Sequence, residues 1–432
     1  MPGIGRKKLL IACTVIFLLA LAVVWLISGD SVGSGRLNLP TGRGAPAIAL
    51  AERHGLILAS DGSLWSWGSD FLGWPVLGLG STMKSTTLRR IGSDTNWVNI
   101  SAGENHNLAI KSDGTMWTWG EKAVPRFTRP GAIPIPVFAA PGNDWKQVAA
   151  GGIYSIALKQ DGTLWGWGNN WAGSVGIAPA NGSAMPMQIG SSTNWTKVWA
   201  GLLETVGRQS DGSLWYWGEN PNPAFAQGAN QIFTPTRVNA ETNWVDVAFG
   251  VNTVFAIKSD GTLWTWGRHA EVYTCVTNLS LDATPMQVGT NSDWRSFSAC
   301  TGWWIQGLTK KDGSLWVMDA SEGKPSGPGA QAPLVQFRQI EFQKNYAAAA
   351  LGSVHAAAPG VHKPIGVVLM PDGEVLAWGL VLGDPLTFKD WLLTSAAKAG
   401  AALHLKVSPP DPAPVLREKP WQLRNADPDV SP

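Results

Sequence analysis

The chain predicts an all-β protein, a seven-bladed β-propeller of four-stranded antiparallel blades, preceded by one N-terminal transmembrane helix. Three observations carry this prediction. An Asp-Gly turn followed by Leu-Trp-x-Trp-Gly, or a close variant, begins at Asp61, Asp113, Asp161, Asp211, Asp260, Asp312 and Asp372. A period near fifty residues marks an array of small identical units. Each copy lies between short runs of strand periodicity, and nothing in the unit reads as a long helix. Finally, an apolar run comes after three basic residues at the N-terminus.

The second copy shows how one unit is built. Leu108 and Ile110 share a face of the strand before the turn, and Trp117 and Trp119 share a face of the strand after it, because side chains two apart point the same way. Asp113-Gly114 between them reads as a two-residue type I′ hairpin loop. Upstream, Trp97, Asn99 and Ser101 alternate with Val98, Ile100 and Ala102, giving a third strand. A fourth recurs between units, as in Pro186-Met187-Gln188-Ile189 and Pro235-Thr236-Arg237-Val238. Proline there suits an outer edge, where no ladder donor is needed. Four strands in each of seven units make a propeller, which leaves only short protected edges.

Most of the 25 tryptophans fall in three columns of the repeat. Trp65, Trp117, Trp165, Trp215, Trp264 and Trp316 form the first, and Trp67, Trp119, Trp167, Trp217, Trp266 and Trp378 the second. Trp97, Trp145, Trp195, Trp244, Trp294 and Trp391 form the third. They read as bulky fillers between blades, where aromatic burial dominates core energetics. A column of small residues, including Ala102-Gly103 and Ala150-Gly151, belongs where innermost strands crowd around an axis. The segment from Asp390-Trp391 to Leu405 reads as the front half of another unit, pairing with the strand near Ile48 to seal the ring.

Arg6-Lys7-Lys8 precedes the apolar run Leu9–Ile27, long enough to cross a hydrocarbon core. Basic residues before the span keep the N-terminus in the cytoplasm and export the chain beyond it. A cleaved signal peptide is the rival reading, but Val23 to Gly29 offers no Ala-x-Ala site. The expected organisation is therefore a cytoplasmic N-terminus (1–8), a signal anchor (9–28), a linker (29–44), the propeller (45–405) and a proline-rich disordered tail (406–432). The expected location is a bacterial inner membrane, with the propeller on the periplasmic or extracellular side.

The 33 basic residues nearly cancel 31 acidic ones, with no long basic stripe, so the footprint of a duplex-binding protein is missing. Cys13 lies in the apolar run. Cys275 and Cys300 remain, and two readings stay open for them, a disulfide in an oxidising compartment or two free thiols.

The stretch Ser101 to Gly120, including His106, resembles the repeat of the regulator of chromosome condensation family. Asn170, Gly173 and Gly176 resemble that family's Asn-x-x-Gly-x-x-Gly tail. The resemblance runs in register through roughly residues 45 to 405 and implies a seven-bladed propeller. The chain departs from it where Tyr154, Glu204, Thr253 and Ile305 replace the histidine of His54 and His106. Met318-Asp319 replaces Trp-Gly in the sixth unit, and Pro371 and Leu376 alter the seventh. The family's founding activity, guanine-nucleotide exchange on a nuclear GTPase, does not suit an exported chain. Exported bacterial relatives that dock a propeller face on a target enzyme are the better comparison, and they imply a protein-binding platform.

No His-Glu-x-x-His, zinc-spaced cysteine pair or phosphate-cradling glycine loop occurs, so no cofactor, metal or catalytic residue is assigned. The chain is read as a non-enzyme. The turn aspartates read as turn formers, and His54 and His106 as inter-blade hydrogen-bonding groups. Glu104 and Glu204 read as residues that could line the axis. Aromatic side chains off the repeat columns are the binding candidates: Phe71, Trp74, Trp171, Tyr273, Trp303 and Trp304, with Trp199 narrowing or plugging the channel. Loops on a rigid scaffold carry binding more often than the scaffold itself, and aromatic anchors are the usual hot spots. The expected function is binding of a protein partner through loops on one face. A carbohydrate-active or glycan-binding propeller is the alternative, and a structural envelope protein is a third.

Overall fold

A computed structural model describes residues 39–51, 53–70, 74–80, 84–121, 132–178, 182–220, 230–250, 253–267, 285–298, 305–319, 336–341, 346–355, 362–378 and 404–405. Seven antiparallel sheets succeed one another along the chain. The first contains β1 (Ala47–Leu50), β2 (His54–Leu58), β3 (Leu64–Ser69) and β4 (Lys84–Arg90). The second contains β5 (Trp97–Ala102), β6 (His106–Lys111), β7 (Met116–Glu121) and β8 (Ala132–Ala140). The third contains β9 (Trp145–Ala150), β10 (Tyr154–Lys159), β11 (Leu164–Gly168) and β12 (Ser183–Gln188). The fourth contains β13 (Trp195–Ala200), β14 (Glu204–Gln209), β15 (Leu214–Glu219) and β16 (Gln231–Arg237). The fifth contains β17 (Trp244–Gly250), β18 (Thr253–Lys258), β19 (Leu263–Gly267) and β20 (Met286–Gln287). The sixth contains β21 (Trp294–Phe297), β22 (Ile305–Lys310), β23 (Leu315–Asp319) and β24 (Gln336–Glu341), with β28 (His404–Leu405) added at its edge. The seventh contains β25 (Ala348–His355), β26 (His362–Leu369) and β27 (Val375–Trp378). This is the expected propeller. Among the described residues no helix is long and apolar enough to cross a membrane, and the run Leu9–Ile27 lies outside them.

The Asp-Gly turns are one residue longer than a two-residue loop. Gly114 N donates to Lys111 O at 2.9 Å and Lys111 N to Thr115 O at 3.0 Å, so Ser112-Asp113 form the corner and Gly114 the bulge after it. That is the three-residue hairpin with a left-handed residue at its end, not the expected type I′ loop. Gly114 has φ +79, and a Cβ there would lie 1.8 Å from Asn143 O of the next blade. Glycine therefore serves both the turn and the contact between blades. Asp113 Oδ1 accepts from Thr115 N and Thr115 Oγ1, at 2.9 and 2.6 Å. Trp117 Nε1 then donates to Thr115 Oγ1 at 3.0 Å. The same relay repeats from Asp61, Asp161, Asp211, Asp260 and Asp312.

The core lies between blades. Leu56, Leu58 and Leu64 of the first pack on Trp97, Ala109 and Trp119 of the second, and Phe255 and Ile257 of the fifth pack on Trp294 and Met318 of the sixth. Trp67, Trp119, Trp167, Trp217 and Trp266 of the second column and Trp97, Trp145, Trp195, Trp244 and Trp294 of the third wedge these seams as expected, while the first column is only half-buried. From the second blade to the sixth, the first-column ring meets the third-column ring of its own blade edge to face, as with Trp97 and Trp117 at 5.9 Å. A lysine completes the arrangement. Lys258 Nζ sits 3.4 Å from the Trp264 centroid and 4.9 Å from that of Trp244, and ion-pairs with Glu241 at 2.7 Å. Lys111, Lys159 and Lys310 do the same with Asp94, Asp144 and Asp293. A largely desolvated cation against aromatic faces is worth about 2 kcal/mol.

Ring closure corrects the sequence reading. His404–Leu405 pairs with the outer strand β24 of the sixth sheet and not with the strand near Ile48. The seam between the last and first blades is closed by packing: Ala350, Val367, Leu369 and Val375 meet Ile48, Leu50, Ile57 and Trp67. Leu39 joins that cluster, and its N–H donates to Gly373 O at 2.7 Å. Residues 390–403 lie outside the described residues.

Candidate functional site

Each blade is a meander, so its first and third connections leave at one end and its Asp-Gly hairpin at the other. These are the loop end and the hairpin end. The innermost strands β1, β5, β9, β13, β17 and β21 line an axial cavity of ≈ 450 Å³. Their inward edges have no neighbouring strand, and side chains from the preceding blade supply what a ladder would. Asn99 Oδ1 accepts from Val148 N at 3.1 Å. Gln147 accepts from Val198 N at 3.2 Å and donates to Val198 O at 2.7 Å. Asp246 Oδ2 accepts from Phe297 N at 2.8 Å. Ser101 and Ser298 perform this service one pleat further on, for Ala150 N and Leu351 N.

Lys197 occupies the same column and cannot accept a hydrogen bond. It instead ion-pairs with Asp246 at 2.7 Å, and Trp199 Nε1 donates to the same Asp246 oxygen at 3.1 Å. Lys197 Nζ also lies 4.6 Å from the Trp199 ring centroid. Trp199 is therefore fixed on the channel wall as a half-buried ring, and the cavity remains open beside it. Periodicity gives no sign of this latch, because its members differ in type from blade to blade.

His54 and His106 form the expected inter-blade bonds. His54 Nε2 meets Asn107 Oδ1 at 2.7 Å, and His106 Nε2 meets Ser155 Oγ at 2.8 Å. Burial lowers both to about 4, so they are neutral near pH 7. Tyr154 replaces the histidine by reaching further, donating to Glu204 O at 2.5 Å. Glu204 does not line the cavity. Its Oε2 accepts from Leu203 N at 2.9 Å, and burial raises its pKa to about 7.

At the loop end, Asn170 organises the third blade's loop. Its Oδ1 accepts from Val175 N at 2.8 Å and its Nδ2 donates to Ile177 O at 2.5 Å. Gly173 has φ +86, and a Cβ there would lie 2.6 Å from Ile232 O. Ser174 Oγ clips this loop to Leu203 O of the next blade at 2.6 Å. Trp171 and Leu202, each 38% exposed, thus stand on two loops held together. In the first blade Asp70 takes the place of Asn170, and burial raises its pKa to about 6. Trp74 is half-buried beside Val76, whose carbonyl receives Trp119 Nε1 at 2.9 Å. Phe71, Tyr273, Cys275, Cys300, Trp303 and Trp304 lie outside the described residues. Among the described residues no group of His, Cys, Asp and Glu is placed to hold a metal ion.

The repeat pattern described as the regulator of chromosome condensation (RCC1) repeat matches residues 97–121 and 145–172. These are the second blade without its outer strand and the third through Ala172. The chain is an RCC1-like repeat protein. Over 85 residues the RCC1-like chain is 35% identical to the X-linked retinitis pigmentosa GTPase regulator homolog of Caenorhabditis elegans, covering 19% of this chain and 6% of that protein. Over 70 residues it is 39% identical to the Protein RCC2 homolog of Danio rerio, covering 16% of this chain and 14% of that protein. The likeness is thus confined to a small part of each relative. Among solved structures, Prp20p of Saccharomyces cerevisiae superposes with a TM-score of 0.56 at 15% identity, covering 82% of this chain and 85% of that chain. That likeness establishes the fold.

Proposed function

We propose that this RCC1-like propeller is a scaffold that binds a protein partner at its loop end and is held at the outer face of a bacterial inner membrane by Leu9–Ile27. The observation that carries the reading is the exposed pair Trp171 and Leu202, set on loops that Ser174 and Leu203 pin together. A rigid, preorganised aromatic anchor loses little entropy on binding. Prp20p, the fold neighbour, has binding properties toward Gsp1p and histones, which supports the use of such a propeller as a protein platform. The buried, neutral histidines and the satisfied Asp246 give no acid–base pair, which favours binding over catalysis. Affinity capture from the native envelope tests this: Trp171→Ala with Leu202→Ala should lose a partner that the unaltered chain retains. An unchanged set of captured proteins would refute the loop-end reading.

A further inference from the structure

Among the described outer strands, those of the second and third blades stand apart. Ile135, Val137 and Phe138 on β8, and Met185 and Met187 on β12, are each between 36% and 53% exposed. They make up most of the large apolar side chains that the described residues leave in water. The neighbouring outer strand of the first blade, Lys-Ser-Thr-Thr-Leu-Arg-Arg, presents Lys84, Arg89 and Arg90. Across β4, β8 and β12 there are three basic residues and no carboxylate. The outer strand β16 of the fourth blade carries no such apolar set.

We propose that this rim is a docking surface for an anionic lipid bilayer. Large apolar side chains left exposed together on a protein surface mark interaction sites. A strand from another protein is a poor occupant, because Pro134, Pro136 and Pro186 lack the N–H that edge pairing needs. Lipid needs no such donor. Ile135, Phe138, Met185 and Met187 supply side chains that sink into the acyl boundary. Lys84 and Arg89 supply the attraction to headgroup phosphates at an anionic surface. This inference is compatible with the membrane tether proposed above but does not depend on it, since the rim would meet lipid with or without an inserted anchor.

The full chain is reconstituted in nanodiscs of mixed phosphatidylglycerol and phosphatidylcholine, with a spin label at position 138, 185 or 234. Labels at 138 and 185 should lose relaxation by an aqueous nickel chelate and gain relaxation by oxygen, while the label at 234 on β16 stays water-exposed. Lys84→Glu with Arg89→Glu, or discs of phosphatidylcholine alone, should return the rim labels to water. Equal nickel accessibility at all three positions would overturn the proposal. So would protection that persists in detergent and rises with protein concentration, which would mean that a second copy covers the rim. If the chain fails to float with bilayers after a high-salt wash, the tether fails. Low-salt binding of the unanchored chain to anionic vesicles then decides the rim separately, and its absence refutes it.

Discussion

Asp70→Asn should stabilise the propeller, and only above the acid range. The third blade shows the reason: Asn170 both accepts from Val175 N and donates to Ile177 O. Asp70 accepts from Leu77 N at 3.3 Å but, when ionised, has nothing to donate. Burial raises its pKa from 3.8 to about 6. A carboxyl whose folded pKa lies above its unfolded value favours the fold fully below the unfolded pKa, and that contribution is lost as pH rises through the folded one. A shift of roughly two units corresponds to about 3 kcal/mol. The group is only partly withdrawn from water, so about 1–2 kcal/mol is the realistic part. An asparagine escapes this loss and gains a hydrogen bond worth about 1 kcal/mol. Urea unfolding followed by tryptophan fluorescence at pH 4, 5, 6 and 8 gives the stability difference at each pH. The gain should grow between pH 4 and 6 and then level off. A difference that is flat with pH, or a loss of stability at pH 8, would refute the reasoning.

Glu204→Gln should show the same sign over a window reaching higher, from about pH 4.5 to about 7. Its gain at pH 8 is up to about 3 kcal/mol, measured by the same titration. Asp246→Ala should destabilise by about 2–3 kcal/mol, because Trp199 Nε1 and Phe297 N lose their acceptor and half-exposed Lys197 its partner. Lys258→Ala should lower stability by about 2–3 kcal/mol through the lost Trp244 and Trp264 contacts. Gln209→Ala, at the corresponding place in the fourth blade, should cost under about 1 kcal/mol. Equal losses for those two would show that the ammonium contributes nothing particular.

The blades were legible in the sequence because their determinants are local. The Asp-Gly turn, the Trp-x-Trp pair and the Pro-initiated outer strand each sit within a few residues of one another and repeat. His54 and His106 were also readable, since a buried polar group at a fixed repeat position needs a partner in the adjacent unit. The lysines between tryptophan rings escaped notice, although Lys111, Lys159, Lys258 and Lys310 recur in register two residues before the Asp-Gly. A charged residue beside a turn ordinarily reads as solvent-facing, and only the edge-to-face tryptophans make it a core element. The axial column was harder. Asn99, Gln147, Lys197, Asp246 and Ser296 share a position but no residue type, and what unites them is the unpaired edge of the next inner strand. The closure strand was misread because a front-half motif at Trp391 suggests strand addition. In the structure His404–Leu405 pairs with β24 instead, while Leu369 and Val375 pack on Ile57 and Trp67 across that seam.

A photo-crosslinking amino acid placed at Trp171, and separately at Thr193 on the hairpin end, tests most directly whether the loop end is the working face. Irradiation of the chain in its native cells should yield one discrete protein adduct from position 171 and none from position 193. Adducts from position 193 alone, or an identical smear from both, would contradict a scaffold that works through its loop end.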